Sequence, residues 1–385
     1  MIEQNPGGPS MTQSMSLPTH TQAAVLVDYN APPEVRTLPV PDLEPGAALV
    51  KVEASTMCGT DVHIWRGEYE AAGLSKLPLV PGHEIVGRVV ALGSERRVDA
   101  LNRPLAEGDL VAWSYAWCGH CYWCTVAKQP TQCESARMYG WGPADRSPYI
   151  TGGFSEYAYV MPACSMVKVP EGLDPAVAAS ATCAFRTIIH GYEKIGRIET
   201  TDTVVIQGSG PVGLYALAYA VQSGASRTVM IGAPTARLDI AKRWGADVQL
   251  DVTSTSVEER RERVRDLTDG RGADLVVECS GRNAAFVEGM DLVRRGGRYL
   301  VLGASEPKPV EMRATYLNLR QLTVAGTMSG DISHYYRALR FLDDHQDRFS
   351  FGDLLGNRFS LDQVGDALLG MEQMREIKPV ILPNA

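Results

Sequence analysis

Cys118, Cys121, Cys124 and Cys133 fall in a C-x2-C-x2-C-x8-C run. Four thiolates so spaced can close a tetrahedron around Zn²⁺, and such a closed site folds a loop without doing chemistry. Half of the eight cysteines lie in this run, and in a chain without an export signal such clustering favours a metal over disulfides. His120, between two of them, reads as a solvated loop residue. A second group differs in kind. Cys58-Gly59-Thr60-Asp61-Val62-His63 and Gly82-His83-Glu84 set a thiol and an imidazole in separate segments. Cysteine and neutral histidine suit Zn²⁺, and a zinc with one open position acts as a Lewis acid and lowers the pKa of a bound O–H. A nearby hydroxyl side chain and a histidine would carry the released proton to solvent. Each residue also has a plainer reading: Cys58 as a small buried hydrophobe, His83 as a turn histidine with Glu84 on the surface. Spacing alone does not decide between the two.

Gly208-Ser209-Gly210-Pro211-Val212-Gly213 matches G-x-G-x-x-G, follows the apolar run VVIQ and opens a helical pattern. The first glycine permits a tight turn, the second lets backbone approach a pyrophosphate, and the third lets helix and strand pack closely over free N–H groups. About 20 residues on, an acidic side chain ordinarily binds the ribose 2′-hydroxyl. Here the second strand ends at Gly232, and the nearest basic residue is Arg237. The choice between NAD and NADP is therefore open, with a lean to NAD.

The elements that must position these residues follow from periodicity. Residues 22–55 and 79–93 alternate apolar and polar positions between Pro and Gly punctuation, which predicts antiparallel β structure, and this character persists to about Val169. Helical periodicity follows over 175–195 and 212–223. From 201 to 304 apolar strand runs alternate with helical segments, the signature of a doubly wound parallel sheet. The last segment opens on a helical pattern at HYYRALRFLDDH and closes on the strand run KPVILP, which is expected to return to the β-rich half. The expected organisation is a mobile tail over 1–20, a β-rich unit over 21–184 and 331–385, and a dinucleotide-binding unit over 185–330.

Composition removes other classes. The chain has 385 residues, 37 basic and 45 acidic, for a net charge of −8. That balance argues against nucleic acid or an anionic membrane as partner. No apolar run reaches the roughly 18–20 residues a membrane span needs. The first 20 residues lack a basic start and an apolar stretch, so they are not a signal peptide, and the cytoplasm is the expected location.

In order and spacing, C-G-T-D-x-H, G-H-E, C-x2-C-x2-C and the later G-x-G-x-x-G resemble the zinc-dependent alcohol dehydrogenases of the medium-chain dehydrogenase/reductase superfamily, over nearly the whole chain from about residue 22. The resemblance implies an α/β fold: a GroES-like β-rich catalytic domain carrying the zinc lobe, wrapped around a Rossmann domain. It implies two zincs per chain, NAD(P) as cofactor, and alcohol oxidation to aldehyde or ketone. By position, Cys58, His83 and Cys183 match the catalytic zinc ligands, and Glu84 matches the acid beside the metal. Thr60 matches the hydroxyl that bonds substrate oxygen, His63 the outer relay base and Asp61 the acid that orients the ligand histidine. Thr187 matches a position near the nicotinamide. Two departures stand out: Gly232, and the x8 spacing before Cys133, where the family commonly has seven residues.

Ser114, with Tyr115, aligns with the strand segment that lines the substrate cleft, and Trp65, Tyr69 and Trp141 are candidate walls. A serine there suggests a polar, polyol-like or otherwise functionalised alcohol. Arg66 and Arg186 read as surface ion-pairing residues or, alternatively, as contacts to an anionic substrate group. Cys164 and Cys279 read as buried apolar residues. The resemblance also implies a homodimer or homotetramer, formed through the sheet edge near GRYLVLG. Two other readings are a zinc-free reductase of the same superfamily and a non-catalytic nucleotide-binding relative; Cys58, His83 and Cys183 count against the first, the intact relay residues against the second.

Overall fold

A computed structural model of the chain describes residues 17–70, 73–303 and 308–385. Of the tail expected over 1–20, residues 1–16 lie outside the described residues, and His20 already opens the first strand. β1 (His20–Val25) and β2 (Glu34–Pro39) form an antiparallel pair. β3 (Ala48–Thr56), β4 (Glu84–Leu92), β5 (Leu110–Trp113), β6 (Tyr157–Val160) and β7 (Met166–Lys168) build an antiparallel sheet in which β3 pairs with both β4 and β6.

The second sheet is parallel throughout. It consists of β8 (Thr203–Gln207), β9 (Arg227–Gly232), β10 (Val248–Asp251), β11 (Ala273–Glu278), β12 (Val293–Val301) and β13 (Thr323–Gly326), in the order β10-β9-β8-β11-β12-β13. Every residue of β8 is buried, as a central strand covered on both faces requires. The expected sheet edge near GRYLVLG is displaced by one strand: β12 is flanked by β11 and β13, so β13 forms the edge. That four-residue strand is mostly exposed and carries little apolar signal. β14 (Arg358–Phe359) and β15 (Val380–Ile381) return to the first sheet, where Val380 pairs with Thr56 and Ile381 with Ser55.

Between the sheets runs a helical segment over 175–195. Asp174 caps it, accepting from the amides of Ala176 (2.8 Å) and Val177 (3.1 Å), with Pro175 in the first turn. The sequence pattern predicts one helix, but Ala181–Phe185 forms a π-helical turn between Pro175–Ser180 and Arg186–Ile195. One apolar cluster joins this segment to both sheets, uniting Ala54, Val86 and Ala112 with Val204, Ile206 and Leu300. Among the described residues no helix is long and apolar enough to cross a membrane.

Candidate metal centre and dinucleotide cradle

Three separate elements converge on one point. Cys58 caps the helix Gly59–Trp65, His83 immediately precedes β4, and Cys183 sits in the π-helical turn. The ligand atoms of Cys58, His83, Glu84 and Cys183 all lie within 4.8 Å of one another. Cys58 Sγ is 3.1 Å from His83 Nε2. His83 is buried, and its Nδ1 lies 3.2 Å from Asp61 Oδ1. Asp61 also accepts the amides of Cys58 (2.9 Å) and Gly82 (3.2 Å), so one buried carboxylate fixes both donor segments. Cys183 beside it, together with His83, holds the Cys58 thiol well below its ordinary pKa, against the effect of burial. The same contact pushes the Cys183 thiol up. A divalent cation deprotonates such coordinating thiols outright, and two thiolates with one oriented imidazole fit Zn²⁺.

Glu84 stands beside these donors but is held elsewhere. It accepts from Thr56 Oγ1, and Lys378 Nζ lies 2.8 Å from Oε1 and 2.6 Å from Oε2. Both charged side chains are fully buried. Burial pushes the Glu84 carboxyl up to about 7 against the pull of Lys378, while Glu84 holds the ammonium up against the effect of burial. Lys378 was not singled out by sequence reasoning; its only signal is a charge at the start of the apolar run PVILP. Arg186 is neither a surface residue nor paired to a carboxylate. Its guanidinium is buried between the rings of Tyr115 (4.5 Å) and Tyr335 (4.7 Å) and donates to Tyr335 Oη.

His63 lies on the outer side of the same helix, partly exposed, with Nδ1 2.5 Å from Glu68 Oε2. Thr60 lies in the first turn of that helix and its amide donates to Cys58 Sγ (3.3 Å). Tyr69 packs between His63 and Trp141, with ring centroids 6.0 and 5.0 Å away. His83, Ile85, Trp113, Tyr115, Tyr139 and Thr182 line a narrow pocket beside the metal donors. Two expected pocket residues are placed otherwise. Ser114 turns its hydroxyl to the backbone, donating to Tyr115 O (2.9 Å) and accepting from Ser165 N (3.1 Å), so Tyr115 is the neighbour that reaches the pocket. Trp65 belongs to the apolar core, its indole N–H donated to Ala31 O (2.7 Å). With Val62 and Ile64 it lies on the helix face that packs with Leu361, Val364 and Leu368 of the C-terminal segment.

The ligand atoms of Cys118, Cys121, Cys124 and Cys133 likewise lie within 4.8 Å of one another. The x8 loop closes through left-handed Lys128 and a 3₁₀ turn over Pro130–Gln132, which delivers Cys133. The amides of Cys118 and Cys121 donate to the sulfurs of Cys133 and Cys118, both at 3.3 Å. His120 is exposed and hydrogen-bonds Cys118 O (2.8 Å). Burial pushes the Cys164 thiol up to about 11 and raises that of Cys279 as well.

At the C-terminal end of β8 the glycines form a cradle. Gly208 has φ +102°, and a Cβ there would lie 2.8 Å from Ser280 N. A Cβ on Gly213 would meet Gly208 O at 1.7 Å, whereas nothing lies within 4 Å of one on Gly210. The helix Pro211–Gln222 starts at Gly210 without a side-chain cap, leaving its first amides free for an anion. A pyrophosphate fits this open, bare backbone. Val212 and Pro211 form its first turn. Gly232 ends β9 against Ser209. Arg237, in the helix Thr235–Arg243, donates to Glu376 O (3.2 Å). Thr187 Oγ1 donates to Cys183 O one turn back (2.8 Å).

Comparison with known proteins gives the same picture. Residues 44–171 match the family described as alcohol dehydrogenase GroES-like domain, and residues 211–344 match zinc-binding dehydrogenase. A 5-exo-hydroxycamphor dehydrogenase of Pseudomonas putida is 35% identical over 371 residues, 94% of this chain and 98% of that protein. A solved alcohol dehydrogenase of Thermotoga maritima superposes with a TM-score of 0.89 at 34% identity, covering 95% of this chain and all of the other. A zinc-binding dehydrogenase of Sinorhizobium meliloti, solved bound to NADP, gives 0.81 at 26%, covering 95% of this chain and all of the other. The chain thus belongs to the zinc-dependent alcohol dehydrogenases of the medium-chain dehydrogenase/reductase superfamily, oxidoreductases that act on CH–OH donors with NAD(P).

Proposed function

We propose that Cys58, His83 and Cys183 hold a catalytic Zn²⁺, that the four-cysteine lobe holds a structural one, and that the protein transfers hydride between an alcohol carbon and the nicotinamide of an NAD(P) whose pyrophosphate Gly208–Gly213 would hold. The observation that carries this reading is the convergence of the three donors, with the second nitrogen of His83 fixed by Asp61. When bound, the metal supplies Lewis acidity toward the substrate oxygen. The chain's own residues do the rest. Asp61 keeps His83 Nε2 turned to the donors. Thr60 takes the substrate hydroxyl proton while handing on its own, and His63, partly exposed beside Glu68, releases a proton to solvent. Trp113, Tyr115 and Tyr139 pack closely behind the donors and keep water from that side. The substrate class is a functionalised alcohol, with Tyr69 and Trp141 as outer walls.

The same reading keeps the division into residues 21–184 with 331–385 and residues 185–330, supported by the pairing of β15 with β3. It makes the protein a homodimer or homotetramer through β13. All eight cysteines are free, which suits a reducing compartment, and we place the protein in the cytoplasm. The test is Cys58→Ala and His83→Ala, read by bound zinc, far-UV circular dichroism and alcohol oxidation. Zinc should fall by one of two equivalents and turnover should collapse with the fold retained; activity at the wild-type level would overturn the assignment.

A further inference from the structure

Gly232 occupies the place of an acidic residue, and the packing explains why none is accommodated. A Cβ on Gly232 would lie 2.5 Å from Ser209 Oγ and 2.8 Å from Ser209 N. A carboxylate nevertheless reaches this corner from the neighbouring strand. β10 runs parallel to β9, and Asp251, its last residue, is the Cα partner of Gly232.

The Asp251 carboxylate is oriented by three neutral donors. Thr235 Oγ1 donates to Oδ2 (3.0 Å), and Thr253 donates its amide (2.8 Å) and hydroxyl (2.6 Å) to Oδ1. These bonds hold its pKa below the usual carboxylate range. The three donors are neutral, so they orient the negative charge without cancelling it. A carboxylate has about four acceptor positions, so one remains on Oδ2. Thr235 opens the helix after β9, at the end of the sheet where the adenosine ribose of a bound dinucleotide lies. Arg237, two residues along, donates to Glu376 O and is turned to the C-terminal segment.

We propose that Asp251 supplies, from β10, the ribose carboxylate that β9 lacks, and thereby selects NAD(H) over NADP(H). The inference rests on the dinucleotide reading above. A ribose hydroxyl donates into the free acceptor position of Oδ2, whereas a 2′-phosphate brings a second anion against the first.

The test is calorimetric titration of the zinc-loaded full chain with 5′-AMP and with 2′,5′-ADP, which differ only in the 2′-phosphate, carry only the adenosine half and need no turnover. Wild type should bind 5′-AMP more tightly than 2′,5′-ADP. Asp251→Asn should narrow that ratio by about tenfold, and Asp251→Glu, which keeps the charge, should preserve it. An unchanged ratio in Asp251→Asn, or a wild type that prefers 2′,5′-ADP, overturns the role of Asp251 and leaves the cradle intact. A wild type that binds neither nucleotide overturns the dinucleotide reading, and the role of Asp251 with it.

Discussion

A lysine with no exposed side-chain surface touches the carboxylate next to the metal donors. Taking two charges out of water costs several kcal/mol per ion, and removing one partner strands the other. Lys378→Met therefore should destabilise the zinc-loaded protein by about 3–5 kcal/mol, measured by urea unfolding. Lys378→Met combined with Glu84→Gln should recover most of that loss, because no buried charge is then left unpaired. Independent, additive losses would show that the pair is not coupled. The contrast with the metal donors explains what could be read from residue types. The four-cysteine run has few other uses at such spacing, so it is legible in one dimension, whereas Cys58 and His83 keep plainer readings until the order of the several motifs is read together. Lys378 meets Glu84 across 294 residues, and a lone lysine in a linear sequence looks like any solvated charge. Ser114 shows the opposite failure: position along a strand was legible, but not the turning of its hydroxyl into the backbone.

Elements bring these residues together, and their less regular parts matter most. The periodicity over 175–195 predicts helix correctly, yet 3.6-residue spacing carries no mark of the π-helical turn that presents Cys183. Such turns are frequent at functional sites. The helix Ile332–His345 leads the chain back toward the first sheet, and its start is held by Asp331. That carboxylate accepts from Ser333 N (2.9 Å) and Ser333 Oγ (2.6 Å) and meets His334 Nδ1 at 2.8 Å. Burial works to raise its pKa, but the bonds from His334 and Ser333 hold it well below the ordinary carboxylate range. A folded value depressed below the unfolded one gives stability that is present above about pH 4 and lost as pH falls toward the folded value. Asp331→Ala should cost about 1 kcal/mol at pH 7. Urea melts at pH 7 and pH 3 should show the difference shrinking in acid; a constant difference would mean that the charge is immaterial.

At the scale of the molecule, the parallel sheet ends on one side at β13, which among the described residues pairs with β12 and with no other strand. Around it Leu319 is 76% exposed, Met328 65% and Val324 41%. An unpaired edge with apolar neighbours is a template for another strand. An isologous contact along β13 would pair two six-stranded sheets about a two-fold axis and cover these side chains. A stable contact of this kind buries about 1,200–2,000 Å² in total, and the helix Thr315–Arg320 next to the edge strand would extend it. Val324→Lys with Leu319→Asp should therefore lower the sedimentation coefficient from that of an oligomer to that of a 41.8 kDa monomer. The zinc donors and the glycine cradle lie on other elements, so bound zinc should stay unchanged. An oligomer that survives both substitutions would place the interface elsewhere on the surface.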